Sequence, residues 1–284
     1  MFCVVGREPL EPIREVFNIT VPDLDEIPVT EKPCLLCGGR DFVPLNTFVL
    51  NERRFHTVRC ARDGMMWLEP QPTAAFYHQL YSQRYHTTGP SDPLLEQATL
   101  DVHSNTEERR RVAGLRLQQI EQFIGPGRLL EVGFGSGAML VAAVQHGWQV
   151  VGLELDAGCV NTMKDLDIRA YNCDLLDYTD RAASFEAVGM YNVIEHTLDP
   201  AAYLQKAFSL LKEGGILVLR LPDTEAEGPP ASLIAHVYHF NAHTIMVLLR
   251  RCGFEVLLID NFRLWKPSRY PGQLWSMNVV SRKG

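Results

Sequence analysis

Residues 129–140, LLEVGFGSGAML, followed by VVGLELD at 150–156, decide the fold of this chain. An apolar strand ends at Glu131, and Gly133, Gly135 and Gly137 then permit a tight turn whose backbone can lie against a ligand before Ala138 starts a helix. A second apolar strand ends in an acid, Glu154. Adjacent parallel strands of an α/β sheet carry their carboxyl ends side by side, so the turn and Glu154 are expected to face one crevice. The turn would cradle a nucleoside-like ligand there, and the Glu154 carboxylate would take its ribose hydroxyls.

A glycine-rich turn with an acid about 20 residues on is also the dinucleotide fingerprint. Glu131 argues against that reading, because a carboxylate at the end of the first strand repels a pyrophosphate and favours a cationic ligand. A strand SFEAVGMYNVIEH (184–196), a helix and turn LQKAFSLLKEGG (204–215) and a strand ILVLRLP (216–222) follow in order. On these motifs the chain resembles a class I S-adenosylmethionine-dependent methyltransferase from about Thr106 to its C-terminus. The resemblance implies an α/β, Rossmann-like seven-stranded sheet with helices on both faces, and S-adenosylmethionine as cofactor. It also implies cofactor contacts from Glu131, Gly133, Phe134, Gly135, Gly137, Glu154 and Leu155. Asp174 matches the acid that receives the adenine amino group, Leu175 a contact to the ring, and Tyr191 and Asn192 positions facing the methionine part.

Composition narrows the class. The chain has 284 residues, 46% of them hydrophobic, enough for one large domain and a small module. It has no run of ~20 apolar residues, and its start, MFCVVGREPLEP, lacks the pattern of a secretory signal. A cytoplasmic, non-membrane protein is expected. Cys159, Cys173 and Cys252 are scattered through apolar segments, so a disulfide framework is not expected. A net charge of -7 argues against nucleic acid as partner, although Arg53, Arg54, Arg59 and Arg62 gather near a cysteine group and would suit one face of a small module.

That module precedes the body. Residues 1–30, with Pro9, Pro12, Pro22 and Pro28, read as an extended arm that could pack through Val16, Phe17 and Ile19. Residues 31–72 carry KPCLLCGGR and, later, RCARDGMMWLEPQP. Cys34 and Cys37 can converge on one metal, and Cys60 with Asp63 would complete a closed structural Zn2+ site, His56 being the rival fourth ligand. Cys-x-x-Cys, a later Cys, LEPQP and FYHQLYSQRYH together look like the zinc-ribbon-like β module of a group of sugar and natural-product methyltransferases. That resemblance implies a lid or linker over 73–105, with Tyr77, Tyr81, Tyr85 and His86 over the cofactor pocket, and a methyltransferase domain over 106–284.

Thr106 is read as the cap of a helix with Val112, Leu115, Ile120 and Phe123 on its buried face. His196, just beyond the fourth strand, is the leading acid–base candidate, the alternative being a structural hydrogen bond. His236, Tyr238 and His239 place three proton-carrying side chains within four positions, at the expected pocket mouth. Two of these histidines with His196 would suit a metal, but no carboxylate stands at useful spacing, so His239 or Tyr238 is read as an auxiliary base. The expected reaction is methyl transfer to a small-molecule acceptor such as a sugar, nucleotide-sugar or secondary metabolite, at oxygen before carbon or nitrogen. The alternatives are a zinc-module ribosomal RNA methyltransferase and a non-catalytic partner protein. The sequence leaves oligomeric state open.

Overall fold

The computed structural model describes residues 16–19, 27–50, 52–79, 107–224, 234–262 and 276–284. Tyr81, Tyr85, His86 and Thr106 lie outside the described residues, as do most of the arm and of the lid segment.

The N-terminal part is built from strands. They are β1 (Val16–Ile19), β2 (Val29–Thr30), β3 (Phe42–Leu50), β4 (Arg53–Cys60), β5 (Met66–Glu69) and β6 (Gln71–Pro72), followed by helix α1 (Ala74–Gln79). The stretch after Phe42 reads as one alternating segment but turns at Glu52, where φ is 63°, so β3 and β4 form an antiparallel hairpin. Phe48 and Phe55 stack across it at 5.3 Å. Two described pieces of the arm pair with the module, β1 in parallel with β3 and β2 antiparallel with β6. The four arginines do not form one face, because side chains alternate along a strand, putting Arg54 opposite Arg53 and Arg59 on β4.

The body begins with α2 (Glu107–Glu121) and continues as β7 (Arg128–Val132), α3 (Ala138–Gln145), β8 (Gln149–Leu153), α4 (Ala157–Asp165), β9 (Ala170–Tyr171) and β10 (Phe185–Tyr191). A 3-10 turn (Ile194–His196), α5 (Pro200–Leu210), β11 (Leu211–Pro222), β12 (Tyr238–His239), α6 (Ala242–Arg251), β13 (Phe254–Phe262) and β14 (Ser276–Lys283) complete it. The main sheet has the order β13-β14-β11-β10-β7-β8-β9, with β14 antiparallel to both its neighbours and the other pairs parallel. Helices cover both faces, as expected of strands buried on both sides. Strand β11 starts earlier than its sequence implies: Leu211 already pairs with Phe185, and a register shift absorbs the turn residues before Ile216 pairs with Ala187. On α2 the buried stripe is Ala113, Leu117 and Ile120, while Leu115 is exposed, because spacings of four and three share a face and Leu115 lies off it.

Strand β12 joins the two parts. Tyr238 and His239 pair with Trp67 and Met66, extending the module sheet to β1-β3-β4-β5-β12. Flanking β12, Val237 accepts from the Leu68 N–H and donates its own N–H to the Glu195 carbonyl, at 2.9 Å each. Trp67 is fully buried at this seam, and its indole N–H donates to Glu69 at 3.0 Å. Trp67→Ala is expected to lower the unfolding free energy by about 3–5 kcal/mol, measured by urea titration, since it opens a cavity and strips Glu69 of a donor.

Candidate active site

A cavity of about 820 Å³ opens at the carboxyl ends of β7, β8 and β10. Its floor is the glycine turn. Gly133, Gly135 and Gly137 have φ of 67°, 52° and 70°, a region that costs other residues strain. A Cβ on Gly133 would stand 2.7 Å from Val193 Cγ2, so this glycine also lets the ends of β7 and β10 pack together. Gly137 does not line the cavity. It is the left-handed cap before α3, and a Cβ there would run into Met163. Phe134 closes the turn from beneath, its ring against Gly152.

Glu131 lies under the turn, 3% exposed, and its Oε2 has no hydrogen-bond partner. Burial pushes its pKa up to about 8, with Glu154 adding to the rise and Arg116 opposing it. Arg116, from α2, lines the same wall with its guanidinium 4.3 Å from the Tyr191 ring centre and its Nε unpartnered. Tyr191 is buried with its hydroxyl unpartnered, and Asn192 follows in left-handed backbone at φ 57°. One end of the cavity therefore offers a carboxyl, a guanidinium and a phenol, each with a polar atom left without a hydrogen bond. Arg116 was not singled out from sequence, since α2 precedes the glycine turn and nothing in its spacing points inward.

Glu154 sits at the end of β8. Its carboxylate accepts from the N–H groups of Gly135 at 2.9 Å, Leu155 at 2.7 Å and Asp156 at 3.3 Å, tying the glycine turn to the neighbouring strand. At the far end Leu155 and Leu175 line the cavity, and Asp174 accepts from Leu176 N at 2.8 Å and from the Tyr203 hydroxyl. Tyr203, from α5, is a second residue that sequence reading missed. Tyr77 reaches the cavity from α1, its hydroxyl donating to the Ile234 carbonyl at 2.6 Å.

His196 also lines the cavity, with Nδ1 2.8 Å from the Ala235 carbonyl, so Nδ1 carries the proton and donates. Burial lowers its pKa to about 4, and the ring is neutral at pH 7. Tyr238 and His239 are buried in the seam strand and do not line the cavity, contrary to the reading of them as bases at its mouth. Sheet pairing to β5 holds them there. His236 lies between, its ring 4.8 Å from His196 and 6.0 Å from His239.

In the module, the ligand atoms of Cys34, Cys37, Cys60 and Asp63 lie within 4.8 Å of one another. Each Cys-containing turn folds around its sulfur: Gly39 N–H points at Cys37 Sγ and Arg62 N–H at Cys60 Sγ, both at 3.4 Å. Asp63 Oδ2 is 3.3 Å from Cys34 Sγ. His56 stands apart, its Nδ1 2.9 Å from Thr47 Oγ1. Three thiols and a carboxylate converging this closely suit a four-coordinate cation such as Zn2+.

A family model for the methyltransferase domain matches residues 105–259. The chain belongs to this methyltransferase-domain family. It is 32% identical over 137 residues to a probable S-adenosylmethionine-dependent methyltransferase of Mycolicibacterium smegmatis, covering 45% of this chain and 52% of that one. It is 28% identical over 167 residues to the ubiquinone biosynthesis O-methyltransferase of Xanthomonas campestris, covering 53% and 64%. The match thus spans from about half to just under two thirds of these relatives' length. Among solved structures the fold is similar to a Burkholderia thailandensis 1,6-didemethyltoxoflavin-N1-methyltransferase with bound S-adenosylhomocysteine. That similarity has a TM-score of 0.55 at 16% identity and covers 78% of this chain and 96% of the other.

The cofactor that the family implies is S-adenosylmethionine, and the donor set fits it. The unspent Glu131 and Arg116 groups match an ammonium and a carboxylate, and the glycine turn leaves room for a nucleoside against bare backbone. Glu131 predicts the pH dependence. An ammonium ligand prefers the ionised carboxyl, so binding below about pH 8 must expel a proton. Affinity for S-adenosylhomocysteine is expected to rise from pH 6 to pH 8 and level off above, with proton release near one per complex at pH 7. Calorimetry in buffers of different ionisation enthalpy measures both.

Proposed function

We propose that the protein transfers a methyl group from S-adenosylmethionine to an oxygen of a small-molecule acceptor. The observation that carries this reading is that one cavity is lined by the glycine turn with Glu131 and by His196. About 820 Å³ accommodates an adenosyl ligand and a modest acceptor side by side, within the range of small-molecule sites. Bound S-adenosylmethionine supplies an electrophilic methyl on a sulfonium.

The chain's own residues do the rest. Glu131 and Arg116 hold the amino-acid end, Tyr191 and Asn192 flank it, Glu154 stands at the ribose and Asp174 with Leu175 at the base. Glu154 and Asp174 already accept hydrogen bonds from backbone N–H groups, so their carboxylates are aimed before a ligand arrives. Tyr77 and residues of α2 wall part of the cavity and narrow the acceptor's access to water. His196 is the polar side chain placed to address the acceptor's proton. Tyr238 and His239 have no part in this reading, having no face on the cavity.

An oxygen acceptor is supported by the ubiquinone O-methyltransferase relatives, and a sugar or secondary metabolite by the size of the cavity and the acidic chain. We place Zn2+ in the Cys34, Cys37, Cys60 and Asp63 group as a structural ion with no open position. The N-terminal module and the body work as one unit in this proposal, joined at β12. Among the described residues no helix is long and apolar enough to cross a membrane.

The test is release of S-adenosylhomocysteine across a panel of hydroxylated acceptors. Turnover on at least one is expected, and S-adenosylmethionine binding without turnover on any would leave a non-catalytic partner as the better reading. His196→Ala is expected to lower turnover about a hundredfold while shifting the Kd for S-adenosylhomocysteine less than about twofold. Purified protein is expected to carry one zinc per chain by elemental analysis, and Cys34→Ser to lose it with a lower Tm.

A further inference from the structure

Among the described residues, Glu195 stands out as a buried carboxyl with no hydrogen-bond partner. It lies in the 3-10 turn, 1% exposed, and neither carboxylate oxygen has a hydrogen-bond partner. Arg220 contributes a charge nearby, but no hydrogen bond reaches the carboxylate from it. Burying a carboxyl with both oxygens idle is costly, and such groups call for a missing partner. Arg220, itself buried with its Nε unpartnered, offsets part of that cost without closing a hydrogen bond.

Two imidazoles face the same point. His196 Nε2 is 3.8 Å from Glu195 Oε1, and one ligand atom each from Glu195, His196 and His236 lies within 4.8 Å of the other two. His196 donates its other ring nitrogen to the Ala235 carbonyl, which fixes Nε2 as the lone-pair side aimed at the group. This outer hydrogen bond is the arrangement that orients histidine ligands on metals. Sequence spacing hid the set, because Glu195 and His236 come from segments 41 positions apart, brought together where the Val237 N–H donates to the Glu195 carbonyl.

We propose that Glu195, His196 and His236 form a binding site for one divalent transition-metal cation of the Mn2+, Fe2+, Co2+ or Zn2+ class, separate from the cysteine group. Two imidazoles and one carboxylate are a donor set for such ions that leaves coordination positions open. Of the three, His196 also lines the cavity, which puts the proposed ion next to that wall. The site deepens the proposed function: an acceptor oxygen entering the cavity becomes a further ligand, and its hydroxyl is acidified by the cation rather than by a free imidazole. The metal site itself stands without that reading, since it rests on the geometry of the three side chains.

The hard cation Mn2+ discriminates this site from the thiolate group, which prefers Zn2+. Full-length protein, with zinc bound at the cysteine site, is titrated with Mn2+ and free ion is read by electron paramagnetic resonance. One Mn2+ per chain is expected, weakened at least tenfold in Glu195→Gln and in His236→Ala and unchanged in Cys34→Ser. His236→Gln, closer in volume, provides the same comparison where His236→Ala fails to fold. Absence of Mn2+ uptake together with no Co2+ visible spectrum beyond that of the cysteine site would overturn the inference, as would binding indifferent to both Glu195 and His236. Calorimetry with S-adenosylhomocysteine on the same samples separates the two ideas: metal uptake without nucleoside binding would retain the site and remove the methyl-transfer reading, and the converse would do the opposite.

Discussion

The cavity depends on a stretch of backbone that bends where an L-side chain would resist. Between the end of β7 and the start of α3, three glycines take left-handed conformations, and the chain reverses over the sheet edge without covering it. Gly133 lets β7 and β10 end side by side, Gly135 offers its N–H to Glu154, and Gly137 lets α3 settle against Met163. One local constraint thus sets the sheet edge, the helix position and the orientation of an acid on the next strand. The remaining walls are assembled around it.

Electrostatics follow from that geometry. Glu131, next to the last residue of β7, is buried beside the turn, and burial favours its protonated form with Arg116 opposing. A zwitterionic amino-acid group would satisfy both this carboxyl and the Arg116 guanidinium, so their burial favours such a ligand. Glu195, in the turn that follows β10, is likewise buried with its carboxylate oxygens lacking a hydrogen bond, near two imidazoles and the Arg220 guanidinium.

The N-terminal module is bound to this site through backbone. Strand β12 completes the module sheet, and its flanking residue Val237 also holds the Glu195 carbonyl, so the turn carrying Glu195 and His196 is braced by β5. Such bracing suits a site whose side chains must be held to fractions of an ångström. It also explains why Tyr238 and His239, chemically attractive in the sequence, are structural: a two-residue strand places both in a ladder, and their side chains are buried in the seam.

Much of this was legible in the chain itself. Strands Arg128–Val132 and Phe185–Tyr191 fall where their apolar runs predict, because parallel strands buried on both faces need continuous hydrophobic residues bounded by glycine or polar breaks. The turn, Glu131, Glu154 and the cysteine spacing were readable because their chemistry is local, carried within a few residues. Arg116, Tyr203 and the approach of His236 to Glu195 were not, since no spacing rule links residues whose side chains meet only after helices dock and β12 pairs with β5. The sequence by itself determined the sheet, the turn and the kind of ligand that the turn admits, through periodicity and backbone preference. Tertiary structure alone decided which titratable groups share a cavity, because that depends on packing between segments far apart in the chain.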